Sequence, residues 1–525
     1  MFGSRSFTSQ VLSNTLPADK ARPMGHMDPD HEVLSNLFED GFAVLLPLLD
    51  LLNYRPLSKV EWQAGLNEVG LQVLESFDGG QDVCNNYGPR DNEACTVFIS
   101  FSQTLLINFL SPTVMLGYGF SIPDNPFDHY SVGFKVPPGS PLEEARAWRA
   151  AHSSKANKKS KADDSYRYYI FNAEHPRSKA AQFLETSIFS QDLFDSISVL
   201  SANIRELQSD RFRSTGRVLE TDSKGSIDRK QHRNLFQTLC QLRLECSNRL
   251  NLLTAKGLRL KNGPSFTISQ KQQYAKLYRD SQLLILETAA LLCRYCLSKA
   301  QHPREEDALL IFSAAAAERL PHPSGAAFNV QILVQRTPSA IKVRTLFNFS
   351  DAAELLPPKL ASKVLDAAKT FTRALNSDNS QQVTICKELP EKIRFTVLLA
   401  ALRRVYSERS VRLSTQLKVW MKDLEMGYSF SEPFWNGPTE DFLPVLEILM
   451  EAADTLAPGK NAPIMDDAWC DPQMLCWGWN VQEEEGVFCD TEASECSDGS
   501  AGYQRSTYLL CIPGGHETTE HRVDI

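Results

Sequence analysis

The spacing of apolar residues changes partway along this chain, and that change restricts the possible folds more than any other feature. Up to about residue 136, apolar residues form short runs separated by turn residues such as Gly79-Gly80, a pattern typical of β-strands. After Tyr168, apolar residues recur every three or four positions, as at Leu235 and Leu239, which indicates amphipathic helices. We therefore predict an α+β chain whose β-rich part precedes a predominantly helical region.

The 525 residues are enough for about three domains, and periodicity and composition divide them further. We predict a β-rich domain over 1–136, a polar linker over 137–167, a helical domain over 168–320, a further helical region over 321–460 and an acidic, partly disordered tail over 461–525.

Individual elements follow from the same patterns. The predicted strands cover Lys59–Trp62, Gly70–Phe77 and Asp82–Asn85. The first predicted helix runs from a Ser190 cap to Leu207, and the second covers Leu235–Leu253. A third begins at a Ser269-x-x-Gln272 capping box and reaches Tyr295. Three more helices are predicted over 352–376, 391–418 and 439–456.

The distribution of charge argues against nucleic acid as a direct partner. The net charge is −9, and residues 461–525 hold 13 acidic residues against 2 arginines, so the preceding chain carries about +2. An acidic tail repels phosphate backbones, and no long basic stripe offsets it. The sequence favours a protein substrate instead.

The twelve cysteines indicate a reducing compartment, because they are scattered along a chain with no secretory signal at its start. We therefore predict a cytoplasmic or nuclear protein with reduced thiols. Cys293-x-x-Cys296 and the cysteines near the end of the chain lack the two short paired spacings of a zinc site, so no metal is expected.

Three short segments end apolar runs with polar residues. They are Asp50-Leu51-Leu52-Asn53, Asn85-Asn86-Tyr87-Gly88 and Gly117–Pro126, which contains Tyr118-Gly119-Phe120. Ser4-Arg5-Ser6-Phe7 precedes them. In this order the motifs resemble the second half of the SET domain of protein lysine methyltransferases, in the branch of the RuBisCO large-subunit methyltransferases. The resemblance covers residues 1–135 by motif and 168–300 more loosely, by pattern.

The resemblance implies a partial SET domain followed by a helical substrate-binding domain, with S-adenosylmethionine as the cofactor. Tyr87 would place its hydroxyl beside the transferred methyl group. Arg5 and Asn53 would contact the cofactor, and Tyr54 stands where relatives usually have histidine, so it would adjoin the cofactor as well. Ser4, Phe7, Asp50 and Tyr118 would line the channel for the substrate lysine.

The chain departs from the family pattern at two larger places. The glycine-rich cofactor loop and the first half of the SET domain would lie upstream of Ser4, so the sequence predicts a truncated gene model, a fragment or a degenerate homologue. In addition, residues 94–114 separate Asn92-Glu93 from Met115, although relatives join these motifs directly.

No charged residue occurs from Ala94 to Pro123, a length that meets the threshold for a membrane span. Three interpretations compete: a transmembrane helix, a genuine inserted helix, and a translated intron. Polar residues within the run, such as Gln103 and Asn108, argue against the membrane. An intron explains best why an apolar block interrupts a continuous motif.

The resemblance predicts an S-adenosylmethionine-dependent protein-lysine N-methyltransferase, in truncated or impaired form. The alternative is a non-catalytic helical interaction module that retains a degenerate SET remnant. Binding of the cofactor distinguishes the two hypotheses.

Overall fold

A computed structural model of the full chain describes residues 7–8, 43–44, 52–64, 69–86, 91–92, 121–152, 168–220, 227–257, 270–302, 323–377, 388–408, 413–428, 442–455, 470–491 and 505–513. The chain forms two compact units. The first comprises residues 1–130, 171–179 and 257–285, and the second comprises the remainder.

The described elements combine helices with small sheets, as the predicted α+β class requires. The strands are β1 (Phe7–Thr8), β2 (Ala43–Val44), β3 (Asn53–Tyr54), β4 (Val60–Ala64), β5 (Val69–Val73), β6 (Cys84–Asn85), β7 (His129–Ser131), β8 (Tyr169–Phe171), β9 (Leu346–Phe347), β10 (Gly486–Thr491) and β11 (Arg505–Cys511). The helices are α1 (Pro141–His152), α2 (Pro176–Lys179), α3 (Gln191–Leu200), α4 (Ile204–Leu207), α5 (Asp210–Thr215), α6 (His232–Gly257), α7 (Gln270–Gln301), α8 (Pro323–Arg336), α9 (Phe349–Glu354), α10 (Pro358–Ser377), α11 (Leu389–Glu408), α12 (Thr415–Gly427), α13 (Leu443–Thr455) and α14 (Pro472–Glu485).

Short two-stranded ladders build the first unit. β1 pairs with β2 and β4 with β5, both antiparallel, whereas β3 and β6 run parallel. A turn at Asp78–Gln81 precedes β6, and Gly80 occupies it with φ +92°, a conformation that costs glycine little. The three strands predicted between Lys59 and Asn85 are therefore confirmed, with their ends shifted by a few residues.

Two long helices confirm the periodicity predicted after Tyr168. α6 buries Leu235, Phe236 and Leu239 completely, because these residues recur on one face. α7 extends through Tyr295 as predicted, although Ser269 of the proposed capping box lies outside the described residues.

The predicted helix from Ser190 to Leu207 is wrong in one respect, because two short helices, α3 and α4, replace it and a third, α5, follows. α3 ends at Leu200, and Asn203 then starts α4 with a capping box in which its side chain accepts from Glu206 N–H. Ser209 caps α5 in the same way. Side-chain caps that satisfy the first amides of a helix thus divide an apolar run of helical period.

A buried network of charges holds α4 against the end of α14 in the second unit. The Arg205 guanidinium donates to both oxygens of Glu485, each at 2.9 Å, and the Tyr428 hydroxyl donates to the same carboxylate at 2.6 Å. Arg233 on α6 pairs with Glu206 at 2.7 Å. Glu485, Glu206, Arg233 and Tyr428 are buried and Arg205 is partly buried, so loss of one charged partner would leave an uncompensated charge.

The largest apolar core of the second unit includes the region predicted as an acidic tail. Trp477 and Trp479 of α14 are buried, and the Trp479 ring stacks on Phe442 with centroids 4.4 Å apart. β11 pairs with both β10 and β9, which gives the strand order β10-β11-β9. This region is acidic in composition, yet it has an apolar face, which the spacing of its apolar residues did not predict.

The segment predicted as a linker also contains regular structure. α1 lies within residues 137–167 and buries Leu142 and Ala145 in a small core with Val199, Phe212 and Val218. Residues 153–167, which include the lysine-rich stretch, lie outside the described part of the chain.

Nine described cysteines are free and buried, and burial raises the pKa values of the Cys293 and Cys296 thiols. Within the described ranges, no helix has the length and apolarity needed to span a bilayer, and residues 94–114 fall outside those ranges. Over the same ranges, no group of three metal-ligating side chains is found.

Gly478 allows α14 to approach α11 closely, and we expect Gly478→Ala to destabilise the protein. A Cβ atom there would lie 2.5 Å from the Thr396 carbonyl oxygen. Backbone must move to relieve this overlap, so we expect a loss of about 1–3 kcal/mol in urea unfolding. At an exposed helical site the same change would stabilise by about 1 kcal/mol.

Gln473→Ala, at an exposed position of the same helix, serves as the control and should change stability by less than about 0.5 kcal/mol. Increased stability of Gly478→Ala would show that the two helices are not in close contact.

Candidate active site

The parallel ladder of β3 and β6 brings together two of the polar motifs. Asn53 pairs with Cys84 and Tyr54 pairs with Asn85. Side chains that face each other across a ladder project from the same face of the sheet, so Tyr54 and Asn85 are neighbours. Tyr87 follows this ladder by two residues in the sequence but lies outside the described residues.

A tight turn after β3 closes back onto β6. The Arg55 N–H donates to the Asn85 carbonyl at 3.1 Å, and the Asn86 side-chain amide donates to the Ser58 carbonyl at 3.2 Å. Leu57 in this turn has φ +68°, a region that costs a leucine about 1–2 kcal/mol. Such strain persists only where the surrounding contacts hold it, and it often marks functional sites.

Arg55 fixes the outer side of the same turn. Its Nε donates to the Ser58 hydroxyl at 3.1 Å, and its guanidinium pairs with Glu75 at 2.6 Å and lies 5.8 Å from the Phe77 ring centroid. These contacts are partly exposed, so their contribution is orientation of the turn more than stability.

Asn85 presents a buried hydrogen-bond donor at this place. Its side chain is fully buried, and its Oδ1 accepts from the Asn86 N–H at 2.7 Å. Its Nδ2 finds no acceptor among the described residues. A buried amide of this kind costs about 1–3 kcal/mol if it is left unpaired. An acceptor on a bound molecule would remove that cost, so the residues here fit a polar cofactor such as S-adenosylmethionine.

The structure describes only some of the predicted site residues. Asn53 is exposed and Tyr54 is partly buried. Phe7 pairs with Val44 in the β1–β2 ladder, and its side chain is outside the description. The remaining predicted residues, Ser4, Arg5, Asp50, Tyr87 and Tyr118, lie outside the described residues, so their convergence stays a prediction.

Sequence reasoning missed a second polar cluster, centred on Asp128. Its carboxylate accepts from the Asn92 N–H at 2.6 Å, from the Asn92 side-chain amide at 2.8 Å and from the Ser281 hydroxyl at 2.5 Å. Burial raises the Asp128 pKa, and these hydrogen bonds oppose the rise. A buried carboxylate with three donors is suited to holding the chain together, not to accepting a proton during catalysis.

Asn92 also binds the backbone of Ile122, which follows the apolar interruption in the sequence. Its Oδ1 accepts from the Ile122 N–H and its Nδ2 donates to the Ile122 carbonyl, both at 2.8 Å. The chain therefore leaves this cluster after Asn92 and returns to it by Ile122. The segment between them, which contains residues 94–114 and Tyr118, starts and ends at one place.

Histidines and aromatic rings surround this cluster within the first unit. His129 pairs with Asp91 at 3.1 Å, and the Gln282 side chain donates to the His129 carbonyl at 3.0 Å. The His175 ring stacks on Phe171 with centroids 4.5 Å apart. Burial, assisted by His129 and Arg177, lowers the His175 pKa to about 4.

Removal of the Asp128 carboxylate should strongly destabilise the first unit. Asp128→Ala leaves the donors of the buried Asn92 and the partly buried Ser281 without their acceptor, so we expect a loss of about 3 kcal/mol in chemical unfolding. Asp82→Ala removes an exposed carboxylate and should cost less than about 0.5 kcal/mol. Equal stability of the two variants would contradict the role given to Asp128.

The His175 pKa predicts a dependence of stability on pH. Between pH 6.5 and about 4 the unfolded chain binds a proton at this residue and the folded chain does not. Stability should therefore fall as the pH drops through this interval. Protonation would also break the bond in which His175 Nδ1 accepts from the Arg177 N–H at 3.1 Å.

His175→Gln keeps an acceptor but does not titrate, so its unfolding free energy should decline less over this interval than that of the wild type. Identical slopes in the wild type and His175→Gln would show that His175 is not the titrating group.

Comparison with known proteins identifies two related enzymes. Over 252 residues the chain is 27% identical to the ribosomal lysine N-methyltransferase set10 of Schizosaccharomyces pombe. This match covers 47% of this chain and 38% of that protein. It is 30% identical over 105 residues to the ribosomal lysine N-methyltransferase 1 of Saccharomyces cerevisiae, which covers 20% of this chain and 15% of that protein.

The matched part of this chain thus spans less than half the length of either relative. No protein-family profile matches the chain, and no solved structure matches it. The two similarities support a relationship between this chain and the protein lysine N-methyltransferases.

Proposed function

We propose that this chain is an S-adenosylmethionine-dependent protein-lysine N-methyltransferase with a SET-type site. The observation that carries the proposal is the parallel pairing of β3 with β6. It joins two motifs that the resemblance assigns to one active site and that lie far apart in the sequence. Similarity to two lysine N-methyltransferases supports the same conclusion.

In this proposal the ladder forms one wall of the cofactor site. The Asn53 side chain and the buried Asn85 Nδ2 donate hydrogen bonds to the cofactor, and Tyr54 packs against it in place of an imidazole. Arg5 binds its carboxylate, since a planar guanidinium matches that group. When bound, S-adenosylmethionine supplies the electrophilic methyl group.

The residues of the lysine channel act by position and by exclusion of water. A lysine must lose its proton before it attacks, and an apolar channel favours the neutral amine. Tyr118 and Phe7 form the apolar walls of this channel, and Ser4 and Asp50 line its polar part. The Tyr87 hydroxyl accepts a weak C–H···O contact that aligns the amine with the methyl carbon. Catalysis then depends on alignment and not on a strong base.

We further propose that the substrate is a ribosomal protein, because both similar enzymes are named for ribosomal lysines. The free, buried cysteines among the described residues are compatible with a reducing compartment, so we assign the protein to the cytoplasm or nucleus.

Binding of S-adenosylmethionine to the full chain, measured by calorimetry, tests the site on β3 and β6. Asn85→Leu removes the unpaired Nδ2 donor at nearly constant volume, together with the Oδ1 that accepts from the Asn86 N–H. It should weaken binding about tenfold, close to the value of one hydrogen bond, in a variant that thermal unfolding shows to be folded. Gln63→Leu, an exposed position on β4, should bind as the wild type does. Absence of measurable heat with the wild type would favour the non-catalytic interaction module.

Tyr87→Phe separates catalysis from cofactor binding in the same proposal. Incorporation of tritiated methyl groups into isolated ribosomal proteins should fall by roughly tenfold or more, because the aligning oxygen is lost. The affinity for S-adenosylmethionine should stay within about threefold of the wild type. Tyr274→Phe, on α7, is the matched control and should transfer methyl groups normally. An unchanged rate for Tyr87→Phe would refute its assigned role.

A further inference from the structure

A cavity of about 700 Å³ lies in the second unit, and none of its lining residues is among those proposed for methyl transfer. The α3–α4 connection, α6, the start of α11, the end of α14 and strands β10 and β11 line it. Its charged lining residues are Arg233, Glu388, Lys392, Glu483 and Glu484. Three carboxylates thus face two cations.

Both cations of the lining are already neutralised within the protein. Lys392 Nζ pairs with Glu483 at 2.7 Å, and Arg233 pairs with Glu206 at 2.7 Å. Glu388 and Glu484 make no ion pair with any cation of the described residues. The cavity therefore carries uncompensated negative charge, which attracts a positively charged group.

Glu484 is a partly buried carboxylate of this lining. Burial raises its pKa, and the neighbouring Glu485 and Glu483 raise it further, while Arg233 and the Ile204 N–H oppose the change. That N–H donates to Glu484 Oε2 at 3.2 Å, which holds the carboxylate in a fixed position. A cation placed beside it would offset both burial and repulsion.

Arg233, which also lines the cavity, offers a hydrogen-bond donor there. It is 8% exposed, and its Nη1 donates to the Ser201 carbonyl at 3.0 Å and to Glu206. Its Nε–H has no acceptor among the described residues. A ligand for this cavity therefore combines a cation with a hydrogen-bond acceptor, as a basic residue of a polypeptide does with its side chain and its carbonyl oxygen.

We propose that this cavity binds a lysine or arginine residue of a partner polypeptide, with the cation on the Glu388 and Glu484 carboxylates and a backbone carbonyl on Arg233 Nε. A free anion would meet the carboxylates unfavourably. This binding site is independent of the proposed methyl transfer, because no group in it takes part in that reaction.

Fluorescence anisotropy of the full chain with labelled peptides, in the absence of S-adenosylmethionine, tests the proposal. The probe is a glycine-serine peptide containing spaced lysines, and its control is the same peptide with every lysine acetylated. At low ionic strength we expect the lysine peptide to bind about tenfold more tightly than the acetylated one, since acetylation removes the charge. Equal affinity for the two peptides would overturn the proposal.

Two protein variants locate the binding. Glu388→Gln and Glu484→Gln should each weaken binding of the lysine peptide by at least about threefold, because each removes one attracting charge. Glu451→Gln, at an exposed position of α13, removes the same formal charge from another surface and should leave affinity unchanged.

Thermal unfolding shows whether each variant stays folded, and the Glu388 variant provides a second, independent test of the site. An equal loss of affinity in all three variants would reveal non-specific attraction to an acidic protein and would contradict the assigned cavity. Because methyl transfer is not measured, this result is separate from the outcome for the proposed enzyme.

Discussion

The parallel ladder between β3 and β6 is the contact on which the candidate site depends. It consists of only two residue pairs, so the turn at Arg55–Ser58 and the hydrogen bonds of Asn85 and Asn86 must hold it in place. The positive φ of Leu57 indicates that these contacts stabilise the turn by more than the strain costs. A loop that several contacts hold in place can present side chains to a ligand in a fixed geometry.

The Asn92–Asp128 cluster indicates how the chain accommodates the apolar interruption at residues 94–114. Four hydrogen bonds of Asn92 join it to Asp128 and Ile122, so the chain on either side of the interruption is held at one place. Closing a longer loop between fixed ends costs only about 0.6 kcal/mol for each doubling of its length. The first unit can therefore carry extra residues between Asn92 and Ile122 while these two positions stay in contact.

Sequence reasoning predicted the elements whose signal is local. The long helices α6 and α7 follow from residues such as Leu235 and Leu239, and the β-rich character of the first part follows from short apolar runs. The break after Leu200 was also readable, because Asn203-x-x-Glu206 is a capping box, but the surrounding apolar period concealed it. The apolar period predicts one continuous helix and the capping box predicts a new helix start, and the sequence alone does not rank these two signals.

Other features depend on residues that are distant in the sequence. The partners of Asp128 come from residues 92 and 281, and no spacing rule relates these positions. β11 is buried against β9, more than 150 residues earlier, so its acidic surroundings suggested a tail where the structure has a core strand. Among the candidate site residues, the motifs singled out Asn53 and Tyr54 as a prediction, whereas the unpaired Nδ2 donor of Asn85 became apparent only from its burial in the structure.

Ultraviolet cross-linking of radiolabelled S-adenosylmethionine to the full chain, followed by peptide mapping, tests the central claim most directly. The account predicts that the label attaches to peptides containing Tyr54 or the Asn85–Tyr87 motif, and that excess unlabelled cofactor prevents it. Attachment confined to the second unit, or labelling that unlabelled cofactor does not displace, would contradict a cofactor site on the β3–β6 ladder.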